Sequence, residues 1–163
     1  MEFLKIVFLA IVAAILYGLV HDQVTVRICA EYFTVFHPRI IESDNTTLIA
    51  LSWGVVATWW MGAGIGFVLG LAARWGTWPK RTWTQLVPSA AVLLGVMAVC
   101  AMVGGTYGFF KGGISAGIAE ELPTQLHRPF AADWYAHMAS YASGFFGGLG
   151  LGVLTLVQRR RAA

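Results

Sequence analysis

Four stretches of this 163-residue chain run for 18 residues or more with at most one charge each. An α-helix rises 1.5 Å per residue, so about 20 apolar residues cross the roughly 30 Å hydrocarbon core of a bilayer. The stretches are residues 3–20, interrupted only by Lys5; 48–73; 86–110, with Pro88 in the opening turn; and 135–157, with His137 in its first turn. Lipid offers no hydrogen-bond partners to the backbone, so each stretch is expected to be helical. The expected fold class is an all-α membrane protein: a four-transmembrane-helix bundle in one integral membrane domain, 1–163. Composition agrees, since 58% of the residues are hydrophobic and 12% are charged. A soluble domain carries about 25% charged residues. A soluble enzyme, a nucleic-acid-binding domain and a disordered chain are thereby excluded, and the sequence pI of 9.1 does not signal a nucleic-acid partner.

The first stretch has a short charged start and an apolar core, as a signal peptide does. It continues into Tyr17-Gly18-Leu19-Val20-His21 with no A-x-A-like site, so it is read as an uncleaved helix. Orientation follows from the flanking Lys and Arg residues. Lys5, Arg74, Lys80, Arg81, Arg159, Arg160 and Arg161 fall on one side with only Glu2. Arg27, Arg39, Lys111 and Arg128 fall on the other, with seven of the eight acids. Both termini are expected in the cytoplasm, with loops 21–47 and 111–134 outside. Trp75, Trp78 and Trp83 mark the inner interface, and Tyr17, Tyr107, Trp134 and Tyr135 the outer one. Trp59 and Trp60, near the middle of the second span, are read as packing or lipid-facing bulk.

Small residues recur every four positions. Gly54, Thr58, Gly62, Gly66 and Gly70 do so in the second span, and Ala136, Ser140, Gly144, Gly148 and Gly152 in the fourth. The third carries the shorter run Cys100, Gly104, Gly108 and Gly112. Such stripes let helix backbones approach closely. Packing within the chain explains them with fewest assumptions; a homo-oligomer seam, a substrate groove or a partner-subunit surface is the competing use. Of the two cysteines, Cys29 lies in a polar loop and Cys100 in an apolar run, so no bridge between them is expected and Cys100 is read as buried.

Loop 21–47 carries the most distinctive chemistry. From Val24 to Tyr32 apolar and polar residues nearly alternate, with β-branched residues at 24, 25, 26 and 28, which is a strand-like period. Continuation of the first helix is the competitor, because it would stack His21, Thr25 and Cys29 on one face. The reading leans to an ordered, part-extended loop. Asp44, Asn45 and Thr46 offer caps for the second span, and Asn45-Thr46-Thr47 is also a glycosylation sequon.

All four histidines, His21, His37, His127 and His137, fall on the outer side. His21 ends the first span and His137 begins the fourth, at the same depth, while Asp133, His137 and Tyr141 share one helix face. Imidazoles with carboxylates suit a divalent transition metal such as Zn, Cu or Fe. The four histidines are the candidate ligands, with Asp22, Asp133 and Tyr141 as supporting groups. A carboxylate beside a ligand histidine would fix its tautomer, a role open to Asp22 or Asp133. Glu31 is the candidate base or further ligand for a metal-dependent reaction. The competing reading is that these residues tie the two outer loops together by hydrogen bonds, with no HExxH or zinc-finger spacing to decide between them. Haem is disfavoured, since His21 and His137 form only one obvious axial pair. Glu120-Glu121 lies in a loop and lacks the histidines of an intramembrane protease motif. The spans hold almost no ionisable groups for a single-chain transport path.

The segment His21-Asp22-Gln23-Val24-Thr25, with Arg27, Glu31-Tyr32-Phe33 and His37-Pro38, resembles one found in small four-span bacterial membrane proteins. The stretch from Trp134 to Tyr141 is similar to another part of the same group. The resemblance implies a bacterial inner-membrane setting and transfers no catalytic residue. Two functions stay open: a metal-binding protein or metal-dependent membrane enzyme working at the outer rim, and a non-enzymatic accessory or scaffold subunit of a membrane complex.

Overall fold

The computed structural model describes residues 1–113 and 115–163. Every regular element among them is a helix: α1 (Glu2–Thr25), α2 (Ala30–Thr34), α3 (Thr46–Val56), α4 (Trp59–Arg74), α5 (Trp83–Lys111), α6 (Ala116–Glu121), a 3₁₀ turn (Thr124–Leu126) and α7 (His127–Arg161). Four helical stretches are long and apolar enough to cross a membrane: Glu2–Thr25, Thr46–Arg74, Trp83–Lys111 and Thr124–Arg161. α1 packs along α3 and α4, α5 packs along α7, and α4 against α7 joins the two pairs.

The small-residue stripes lie in these seams. A Cβ placed on Gly62 would stand 2.7 Å from the carbonyl oxygen of Ala10, and one on Gly104 2.6 Å from that of Tyr135. Neither backbone can give way cheaply, so glycine is required where α4 meets α1 and where α5 meets α7. Gly64, on the other face of α4, has nothing within 4 Å. Trp59 and Trp60 are about half exposed on the outside of the bundle.

Three expectations are corrected. The alternating stretch after His21 is not extended: Val26 N–H donates to Asp22 O (3.0 Å) and Cys29 N–H to Thr25 O (3.0 Å). Thr25 Oγ1 also donates back to His21 O at 3.2 Å. The helix therefore continues to Thr25, and the five-residue α2 follows. So short a helix is unstable alone; it is held by packing, with Tyr32 and Phe33 buried against Val26, Ile49 and Phe130. The fourth helix begins at His127, eight residues earlier than expected, with Pro129 tolerated in its first turn. Of the cysteines it is Cys29 that is buried, while Cys100 is partly exposed; both are free thiols.

The second long stretch is interrupted at Ala57–Thr58, between α3 and α4. Thr58 Oγ1 donates to Gly54 O at 2.5 Å, and Tyr141 OH reaches Ala57 O at 3.4 Å. These side chains serve carbonyls at the break, as an irregular stretch inside an apolar bundle requires. At the α3 start, Asn45 Oδ1 accepts from Thr47 N–H (2.9 Å) and Leu48 N–H (3.3 Å), which makes it the cap among the three candidates.

The opposite end of the bundle is closed by Arg159. Its side chain is wholly buried and donates to the carbonyls of Pro79 (2.8 Å), Trp75 (2.8 Å), Trp78 (3.1 Å) and Ala72. These oxygens belong to the end of α4 and the following loop, which have no helical partners left.

Candidate metal centre

His21 lies in the last two turns of α1, Asp22 follows it, and His137 stands in the third turn of α7. Because α1 and α7 bring these turns together, one ligand atom from each of the three residues lies within 4.8 Å of the other two. The His21 and His137 rings meet edge to face with centroids 4.6 Å apart. Tyr17 stacks on His21 at 5.6 Å, and Tyr32 of α2 stacks on His137 at 4.5 Å. The two imidazole rings are thus held between aromatic neighbours that restrict their rotation.

Hydrogen bonding fixes the tautomer of His137. Its Nδ1 lies 2.7 Å from the carbonyl oxygen of Asp133. A carbonyl only accepts, so Nδ1 carries a proton, and Nε2 is the ring nitrogen that faces Asp22 Oδ1, 3.4 Å away. A proton between them would draw them to the roughly 2.7–2.9 Å of a charge-assisted hydrogen bond. By contrast, N and O ligands each about 2.1 Å from one ion, at a tetrahedral angle, stand about 3.4 Å apart. His21 Nε2 is buried beside this pair with no hydrogen-bond partner. Buried polar atoms are almost always satisfied, so this ring nitrogen is an exception at this end of the bundle.

The other candidates sit elsewhere. His37 lines the same cavity, but its Nδ1 donates to Tyr32 O at 2.6 Å, and it lies outside the three-residue group. His127 ties the 3₁₀ turn to the preceding loop, with Nε2 donating to Leu122 O at 3.0 Å. Asp133 supports His137 through its backbone carbonyl rather than its carboxylate. Both of its side-chain oxygens are buried without a partner, and the nearby Cys29 N–H is committed to Thr25 O. Glu31 Oε2 accepts from the Cys29 thiol at 3.5 Å and does not reach the group. Burial pushes the Cys29 thiol up to about 12 and raises the Tyr32 hydroxyl well above its ordinary value, so neither is an anionic ligand near neutral pH. Glu120 and Glu121 belong to α6 at this same end of the molecule.

Below the group a cavity of about 220 Å³ runs into the bundle. It reaches from His21 and His137 to Ala14 and Gly144, seven residues along each helix and so about 10 Å. The α3–α4 interruption forms part of its wall, with Ala57, Thr58 and Met61. Tyr17 OH and Ser140 Oγ bridge α1 and α7 across it at 2.7 Å. The sequence reading missed Tyr17, Tyr32 and Ser140 as parts of the site. The spacing of Ser140 from Ala136 and Gly144 is the available signal, but such a stripe fits packing with fewer assumptions than a groove. No protein-family model, curated protein or solved structure matches the chain, so this end of the bundle is read from its own geometry.

Proposed function

We propose that this is a membrane protein that binds one divalent transition-metal ion, with His21, Asp22 and His137 as its protein ligands. The observation that carries the reading is the 3.4 Å separation of His137 Nε2 and Asp22 Oδ1, with the tautomer of His137 locked by Asp133 O. Tetrahedral spacing suits Zn, and three protein ligands leave a fourth position for a bound molecule. Cu and Fe share the donor preference and are separated by direct metal analysis. His37 and His127 serve as tethers of the loop segments over this end, which is where the structural reading of the histidines applies.

The charge asymmetry of the loops supports a bacterial inner-membrane orientation with both termini in the cytoplasm and the metal group toward the outer face. Reporter fusions at the C-terminus and in loop 39–45 test this; an outer C-terminus overturns it. For the metal, the protein is purified in mild detergent, supplied with Zn, Cu or Fe in turn, freed of excess and analysed. One equivalent of metal in the wild type, absent in both H21A and H137A, is the expected result. A metal-free wild type after supplementation overturns the proposal. Co-purification of a fixed partner subunit with that metal-free protein would favour the accessory role instead.

A further inference from the structure

We infer that the cavity beneath the metal group takes a single-ring phenol, with its hydroxyl oxygen at the His21–Asp22–His137 end and its ring between Met61 and Met97. The inference rests on the metal reading for its polar anchor, and on the cavity itself for its shape. An apolar cavity of about 150 Å³ is large enough to hold benzene. The present one, at about 220 Å³, fits a ring with a short substituent, and its length of about 10 Å matches a para-substituted phenol.

Polarity sets where the oxygen goes. Most hydroxyls lining the cavity are already engaged: Tyr17 with Ser140, Thr58 with Gly54 O, and Tyr141 with Ala57 O; that of Tyr32, whose ring stacks on His137, lines the cavity as well. The remaining polar demand is at the upper end, where His21 Nε2 has no partner and the proposed ion has an open position. An occupant must therefore be apolar along most of its length and carry one oxygen at one tip. The walls favour a flat ring over an alkyl chain. Tyr32 and His21 present ring surfaces, and Met61, Met97 and Met138 supply polarizable sulfur that adapts to an aromatic edge. Met138 lines the cavity and is 44% exposed.

The test uses full-length protein in detergent and labelled 4-ethylphenol in equilibrium dialysis, with protein-free micelles as the partition control. Metal is measured on the same samples. Wild type is expected to bind about one equivalent saturably, and 4-ethylanisole, whose oxygen is blocked, at least tenfold more weakly. M61W fills the cavity from α4, and M138W fills it from its exposed rim, where refolding is least disturbed. Each is expected to keep its metal and to weaken 4-ethylphenol at least tenfold. Circular dichroism identifies a variant that has lost its helices, and the other then decides. Binding that is unchanged in the folded filled variants, or uptake no greater than micelle partition, overturns the cavity assignment while leaving the metal measurement standing. Saturable binding lost in the filled variants, in a wild type that holds no metal, upholds the cavity and overturns the metal.

Discussion

The two ends of the bundle bury polar groups in opposite ways. At the Arg159 end, one wholly buried guanidinium reaches four backbone carbonyls from the α4 terminus and its loop. At the His end, His21 Nε2 and both Asp133 carboxylate oxygens are buried with no partner, and His137 Nε2 stands 3.4 Å from Asp22 Oδ1. Burial of a polar group costs free energy unless its hydrogen bonds are made. A satisfied buried cation is explained by the fold it holds together. The cluster at the His end has no such partners within the fold, and it is there that the proposed ion would sit.

That contrast can be broken at several points. The largest expected effect concerns the seal over the His end. Cys29 is 1% exposed, and its thiol is pushed up from 9.0 to about 12. In a Cys100→Ser background the native protein should react with a water-soluble maleimide at pH 8 roughly a thousandfold more slowly than the denatured chain. The sign follows from the direction of the shift: the neutral thiol is favoured in the fold, and this advantage is lost only as pH rises from about 9 toward 12. Rapid native labelling would show that α2 does not close this end.

Arg159→Ala should come next. It leaves the carbonyls of Ala72, Trp75, Trp78 and Pro79 without their donor, at a cost on the order of 3 kcal/mol or more. A thermal melt in detergent should show a large loss of stability, with metal content per folded molecule unchanged. Loss of metal without loss of stability would reverse the roles assigned to the two ends.

His137→Ala should weaken metal binding by about a hundredfold while His127→Ala stays within about threefold, because only the first removes a proposed ligand. Equal losses in a metal titration would restore a four-histidine site. The smallest effect separates two faces of one helix. Gly62→Ala drives a methyl against Ala10 O and should cost about 1–3 kcal/mol. Gly64→Ala meets nothing and should be neutral or stabilise by up to about 1 kcal/mol, from helix propensity. If both melt alike, the stripe is not the α1–α4 seam.

Much of the fold was legible because hydropathy and four-residue spacing are local signals. The four apolar stretches became four long helical stretches, and Gly62, Gly104 and Gly108 lie in seams as close packing demands. The misreadings have common physical causes. β-branched residues from Val24 to Ile28 mimic a strand period, but their backbone groups bond to the preceding turn. The α3–α4 interruption carries no proline; it depends on Thr58 and on Tyr141, which is 84 residues away from Ala57. In sequence Arg159 is only a topology charge, since nothing local distinguishes it from Arg160 and Arg161. For the site, the shared depth of His21 and His137 could be read from their places at span ends. Which histidines would meet could not.

By itself, then, the sequence determined an all-helical chain with four bilayer-length apolar segments, a basic set of ends and a rim rich in histidine and acid. These follow from composition and period, which need no partner to be expressed. The tertiary structure alone decided that His21, Asp22 and His137 converge while His37 and His127 bond to backbone carbonyls. It also decided that a cavity opens beneath the three and that Arg159 locks the far end. The reason is that a lone pair's direction, a tautomer and a void each depend on atoms supplied by different helices, and no single stretch of chain contains them.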